Sequence, residues 1–291
     1  MSKNKDAAVQ SGLWLVATPI GNLGDITPRA IEVLQAASLI CCEDTRRSGQ
    51  LLKLLGINLA DNDARLLVTN EHTEYNTITQ VVESLAHGKV VAVITDAGTP
   101  GISDPGSLLV RAAIDNDYPV LSAPGPAAFV AAVIVSGLPT DRIAFEGFLP
   151  RAGQDRTRRL TELSRETRTL VLYEAPHRLV RTVADLAKVC GENRQVVLCR
   201  ELTKMHEEIW RGTFAEAQNF VAEREPRGEY VIVIAPFASE ENSVTDDEIA
   251  MALVERLNAG DSKKKAVEHV VTKFNVARNR VYDISINLPN S

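Results

Sequence analysis

The chain has 291 residues, 45% hydrophobic and 24% charged, an average balance for a globular protein with material for a sizeable core. Its formal net charge of −6 excludes a global polycation, so any nucleic-acid contact requires locally concentrated Lys and Arg. No stretch is apolar enough for a membrane span, and the polar start lacks a signal core, which predicts a cytoplasmic protein with no membrane partner.

In chain order, residues 13–17 form a short apolar run stopped by Thr18-Pro19, the pattern of a buried strand. A glycine loop follows, and Thr27 caps a helix with Pro28 at its first position. A second apolar run at 39–42 completes a βαβ unit. The alternation continues with strands at 65–68, 89–94 and 119–122 and helices at 76–87 and 107–116. This predicts an α/β domain over 12–122 with a mostly parallel sheet.

A second α/β domain is expected over 123–237, opening with an Ala/Val-rich helix at 127–136. Its strands are predicted at 143–145, 169–173, 195–200, 207–211 and 229–235, and its other helices at 177–189 and 214–223. A polar linker then leads to a tail, 245–288, of three short helices capped at Thr245, Ser262 and Asn275, a helix-turn-helix-like module. The four cysteines, Cys41, Cys42, Cys190 and Cys199, have neither CxxC nor metal-knuckle spacing, so reduced thiols and no metal are expected.

Three Gly/Pro segments, 18–25, 96–106 and 123–128, fall at the carboxyl ends of predicted strands, where open α/β sheets bind ligands. Glycine lets a backbone approach a ligand closely, and proline lowers the entropy lost on binding. None of the three matches the GxGxxG or GxxxxGK[ST] pattern, so the expected ligand is not a nucleoside triphosphate. Each alone reads as turn chemistry; together they predict one pocket.

Seven ordered strings carry a closer likeness: ATPIGNLGDITPRA (17–30), CEDTRRSGQLL (42–52), TDAGTPGISDPG (95–106), APGPAA (123–128), FEGFLPR (145–151), LYEAPHRL (172–179) and RELTKMHEEIWRGT (200–213). They resemble the ribosomal RNA small subunit methyltransferase I family, a branch of the tetrapyrrole methylase superfamily. The sequence departs from that pattern after His72, where Thr73 stands in place of the usual Asn. The resemblance implies two α/β domains with S-adenosylmethionine in the cleft between them, and no metal. It implies transfer of a methyl group to a cytidine 2′-oxygen in the decoding region of 16S rRNA, within the small ribosomal subunit, by a homodimer. It places Pro19, Ala97, Gly98, Thr99, Ile102, Ala127, Ala128 and Tyr173 at the donor.

Methyl transfer to a hydroxyl needs alignment and a way to remove the proton. Asp44 reads either as that base or as a salt-bridged helix start, and Asp25 has the same ambiguity. Glu201, Lys204 and His72 are further candidates. RNA phosphate contacts are expected from Arg46 and Arg47, from a basic region including Arg151, Arg156, Arg158, Arg159, Arg165 and Arg168, and from Lys263, Lys264, Lys265 and Arg278. Aromatics are only 5% of the chain, and no base-stacking platform is evident. Two rival functions are methylation of a tetrapyrrole or corrin precursor and a non-enzymatic role in RNA binding or assembly.

Overall fold

The computed structural model describes residues 9–69, 74–237, 245–274, 276 and 278–288. His72 lies outside them. Compactness divides the chain into two units, Met1–Pro236 and Phe237–Ser291.

The first unit contains two five-stranded sheets. One comprises β1 (Gly12–Val16), β2 (Leu39–Cys42), β3 (Arg65–Val68), β4 (Val90–Val93) and β5 (Val120–Ala123), with helices α1 (Pro28–Ala36), α2 (Thr45–Leu54), α3 (Glu74–Ala86) and α4 (Ser107–Asp115) between them. Its order is β3-β2-β4-β1-β5 and every pairing is parallel. Parallel sheets bury both faces, and the strand residues divide accordingly. Trp14, Val16, Ile40 and Ala92 pack towards α1 and α2, while Leu13, Cys41, Val91 and Val93 pack towards α3 and α4. Thr27 caps α1 by accepting from the Ala30 N–H, with Pro28 at the first position. Connections leave the adjacent strands β1 and β4 in opposite directions, which opens a crevice at their carboxyl ends.

The second sheet comprises β6 (Ile143–Phe148), β7 (Thr169–Glu174), β8 (Gln195–Arg200), β9 (Glu208–Thr213) and β10 (Tyr230–Ile234), in the order β6-β7-β10-β8-β9. Only β6 and β7 run parallel; the other neighbours are antiparallel. Helices α6 (Gly153–Ser164), α7 (Pro176–Cys190) and α8 (Phe214–Ala222) cover one face through Leu163, Leu186 and Phe214. The other face packs on α5 (Ala128–Ser136) and on Ile20, which comes from the loop after β1. A residue of the first sheet's loop thus completes the core of the second, and the two sheets share one packed unit.

Helix α6 falls in the region read from sequence as a basic patch. Coiling the segment into a helix separates its charges: Arg156 is 3% exposed, while Arg158 faces solvent. Arg156 donates to Asp185, Thr182 and the Pro150 carbonyl at 2.8–3.0 Å. Arg159 pairs with Glu146 and Glu162, and Arg168 with Glu166. Arg156, Arg159 and Arg168 are thus engaged within the chain.

The second unit holds α9 (Asp246–Asn258), α10 (Lys263–Phe274) and α11 (Arg278–Ile286) around Ile249, Leu253, Val267, Val270 and Val281. Thr245 and Glu248 form a reciprocal capping box at the start of α9. Cys41, Cys42 and Cys199 are buried, all four cysteines are free, and burial pushes the Cys41 and Cys199 thiols up to about 12. No helix among the described residues is long and apolar enough to cross a membrane.

Candidate active site

The three Gly/Pro loops converge through their backbones. Thr18 and Gly98 exchange N–H···O bonds of 2.8 and 3.1 Å, joining the loops after β1 and β4. Thr99 Oγ1 donates to the Pro126 carbonyl at 3.0 Å, joining the loops after β4 and β5. Gly98 adopts φ +93°, a conformation that disfavours any side chain. A Cβ on Gly21 would lie 2.3 Å from Lys204 Cγ, so that glycine lets the first loop meet the β8–β9 turn. Asn22 N–H donates to Thr203 Oγ1 across the same contact at 3.1 Å.

These loops form one side of a cavity of about 480 Å³. Its first wall presents Ala97, Gly98, Thr99, Ile102, Ala127 and Ala128. Its second wall comes from the other sheet and presents Phe148, Tyr173, Glu201, Leu202, Lys204 and Val231. Pro19 is not among the lining residues, but the adjacent Ile20 is. Tyr173 also holds the start of α5: its hydroxyl oxygen accepts from the Phe129 N–H at 3.2 Å.

The lining is strongly acidic. Glu43, Asp96, Asp104, Glu174, Glu201 and Glu229 contribute carboxylates, against the cations Arg47 and Lys204. Both cations are already engaged. Arg47 donates to Asp96 Oδ2 at 3.1 Å, and Lys204 Nζ sits 2.9 Å from both Glu201 Oε1 and Glu229 Oε2. Burial opposes the Lys204 charge, but its two carboxylate partners outweigh that and raise its pKa; the Glu201 carboxyl is correspondingly lowered. Asp96 also lines the cavity, and burial together with the nearby Glu43 carboxylate raises its pKa.

Asp104 was not singled out by the sequence pattern. It is half-buried in the cavity lining, and burial together with the nearby Glu43 carboxylate pushes its pKa up to about 7 against an opposing hydrogen bond from Thr95. The signal available in sequence was only its place in a Gly/Pro loop. Glu43, also missed, accepts from Thr95 Oγ1 and from the Asp96 N–H at 3.2 Å. Asp44, a sequence candidate, instead caps α2: it accepts from the Arg46 N–H and pairs with the Arg46 guanidinium, both at 2.8 Å, which holds its carboxyl well below the ordinary range. Neither Asp44 nor the exposed Asp25 lines the cavity. Glu201 and Lys204 do line it, as one ion-paired cluster.

A cavity with this charge balance repels phosphate and suits a cationic ligand. The family profile of the Tetrapyrrole (Corrin/Porphyrin) Methylases matches residues 12–218. The chain belongs to the tetrapyrrole methylases. Among curated relatives of this methylase, one named "Ribosomal RNA small subunit methyltransferase I" from Synechocystis is 40% identical over 95% of this chain and 98% of its own. A protein of the same name from Xylella fastidiosa is 44% identical over 88% and 93%. The solved uroporphyrin-III C-methyl transferase of Thermus thermophilus complexed with S-adenyl homocysteine superposes with a TM-score of 0.52 at 19% identity, covering 77% of this chain and 97% of that one. That likeness concerns the fold. The family expected from the seven sequence strings is thus the family found, and the fold of its α/β unit agrees.

Proposed function

We propose that this methylase transfers a methyl group from S-adenosylmethionine to the ribose 2′-oxygen of a cytidine in the decoding region of 16S rRNA, acting on the small ribosomal subunit. The observation that carries this reading is the near full-length identity with rRNA small subunit methyltransferases I, tail included. The cation-favouring cavity supports the donor.

Ala97, Gly98, Thr99, Ile102, Ala127 and Ala128 would hold the donor by close backbone approach, with Tyr173 on the facing wall. Bound S-adenosylmethionine supplies a methyl carbon activated by sulfonium charge. The protein's work is then alignment, exclusion of water and removal of one proton. Asp104 is the proton acceptor in this reading, because it lines the cavity and burial beside Glu43 pushes its pKa up to about 7, the range a general base needs. The bond from the 2′-oxygen to the methyl carbon forms as the carbon–sulfur bond breaks, and the hydroxyl proton passes to Asp104.

RNA phosphates would meet exposed cations outside the cavity: Arg46, Arg151, Arg158 and, in the tail, Lys263, Lys264, Lys265 and Arg278. Their surface ion pairs, such as Arg158 with Asp155, are weak enough to be exchanged for phosphate. Arg47 is set apart from this group by its bond to Asp96. The protein works in the cytoplasm as a homodimer; Val130 and Ile134, one turn apart on α5, are 46% and 72% exposed in the single chain and would be covered in such an assembly.

The test is incubation with labelled donor and small ribosomal subunits purified from cells lacking the protein, followed by mass mapping of the rRNA. A single ribose-methylated cytidine is expected. Label entering uroporphyrinogen and none entering rRNA would sink the reading, as would failure of the protein to bind the donor in calorimetry.

A further inference from the structure

We infer that Phe148 is the stacking surface for the nucleobase of the nucleotide being methylated. The inference rests on the reading of the cavity as a site for ribose methylation of RNA. It begins with a break in strand β6. The pairing of β6 with β7 runs Phe145 to Val171, then skips a residue and resumes at Gly147 with Leu172 and Phe148 with Tyr173. Regular alternation would place Phe148 with Ala144, on the face that α6, α7 and α8 cover. The bulge reverses that and delivers Phe148 to the opposite face, beside Tyr173 on the cavity. Their rings meet edge to face at 5.6 Å. Gly147 makes the bulge with φ +60°, and a Cβ there would stand 3.0 Å from Ser103 Oγ of the loop after β4.

What marks Phe148 is its place, beside Tyr173 on the lining of the cavity. Phe148 is 51% exposed, against 36% for Ile102 and 8% or less for Ile20, Leu202 and Val231, so it is the outermost of these apolar lining residues. Its backbone is also held in place. Arg178 donates to the Leu149 carbonyl at 2.6 Å, and the buried Arg156 donates to the Pro150 carbonyl at 3.0 Å. Two guanidinium groups thus fix the backbone directly after the ring, which lowers the entropy lost when a ligand settles on it. The exposed Arg151 follows on the same segment, within reach of a flanking phosphate.

A 2′-hydroxyl is displayed in the minor groove of paired RNA, but a cavity recessed between two walls is entered more readily by a splayed-out nucleotide, whose unstacked base gains from a replacement partner. A half-exposed aromatic ring on a fixed backbone at the cavity mouth is that partner. The donor's own adenine is the other nucleobase that could use it. The outer position and the origin of Phe148 on the wall facing the donor loops favour the RNA base.

The experiment compares Phe148→Ala, Phe148→Leu and Phe148→Trp with the wild type in single-turnover methyl transfer to unmethylated small subunits, with donor affinity by calorimetry and thermal unfolding in parallel. Loss of stacking predicts about a ten- to hundredfold fall in kcat/KM for Phe148→Ala. Phe148→Leu keeps apolar bulk without a ring face and should stay low, while Phe148→Trp should recover to within about threefold. Donor affinity and unfolding temperature should hardly move. Transfer by Phe148→Ala at the wild-type rate, or full rescue by Leu, would overturn the assignment. A parallel loss of donor affinity would overturn it in favour of the donor's adenine. A wild-type protein that binds donor but leaves subunits unmethylated would instead remove the functional reading beneath it.

Discussion

The two walls of the cavity are built by different means. The first, from the parallel sheet, is mostly backbone and short side chains: Gly98, Ala97, Thr99, Ala127 and Ala128 line it, cross-braced by Thr18 with Gly98 and Thr99 with Pro126. The second, from the mixed sheet, is mostly large side chains: Phe148, Tyr173, Glu201 and Lys204. A backbone wall gives a ligand of fixed shape a close fit with little to reorganise. A side-chain wall can be varied without disturbing strand ends. This division places donor recognition mainly on the first wall, which also carries Asp104, and contact with the RNA mainly on the second, and it can be broken by substitutions that affect the wrong partner.

The largest effect is expected on the backbone wall. Gly98→Arg places a long side chain into the cavity from a residue at φ +93°, whose Cβ would already touch Ile20 Cγ2 at 3.4 Å. Donor binding should fall below detection in calorimetry. RNA binding, measured by filter retention of small subunits, should persist. Loss of both together would show that the walls do not act separately.

Asp104→Asn comes next, with about a 10²- to 10⁴-fold loss of transfer at unchanged donor affinity, the range of general-base removal. The wild-type pH profile gives the same group a second test. The base acts deprotonated, so kcat/KM should rise up to about pH 7 and level off above it. Stability should move the other way. The folded carboxyl titrates at about 7 and the ordinary one at 3.8, so the native state holds the extra proton between those values and stability falls as pH rises through them. Asp104→Asn should therefore unfold at a higher temperature than wild type at pH 8, and the gain should fade towards pH 4. Burial sets most of the shift, the Glu43, Asp96 and Glu229 carboxylates add to it, and the Thr95 hydrogen bond opposes it.

The two walls also differ in how far they were legible in the sequence. The loops carrying Ala97, Gly98, Thr99, Ile102, Ala127 and Ala128 were readable because Gly and Pro mark loops and strand ends follow from apolar runs, while the individual residues, like Tyr173 on the second wall, came from the family resemblance. Phe148 was not readable, because a β-bulge leaves no mark in the apolar pattern and β6 was read as ending three residues early. Helix α6 was missed for a related reason. Its cap, Ala152, makes no side-chain hydrogen bond, and its arginines hide the periodicity of Leu160 and Leu163. Asp104 escaped because its burial arises from two distant segments meeting. Asp44 stayed open between base and cap in the sequence because an acid before a helix looks alike in either role; the structure shows it capping α2.

Lys204→Met tests the side-chain wall by sign. It removes one positive charge and leaves Glu201 and Glu229 facing each other without their shared cation. A cationic donor should bind as well or slightly better, while a polyanionic RNA should bind worse. The KM for small subunits should rise roughly three- to tenfold at low salt, and less at high salt, because partly exposed charges are screened. Weakened donor binding at unchanged KM for subunits would assign Lys204 to the wrong partner.

The smallest effect is expected from Tyr173→Phe. The ring would keep its contacts with Phe145 at 5.0 Å and Phe148 at 5.6 Å, while the Phe129 N–H would lose its acceptor at the start of α5. A hydrogen bond of this kind contributes about 0.5–1.5 kcal/mol, so a slightly lower unfolding temperature is expected. If the side-chain wall only positions its partners, transfer should stay within about threefold of wild type, since a loss this small shifts geometry little. A hundredfold fall at intact donor affinity would mean that the Tyr173 hydroxyl takes part in proton transfer, and that the second wall carries chemistry as well as shape.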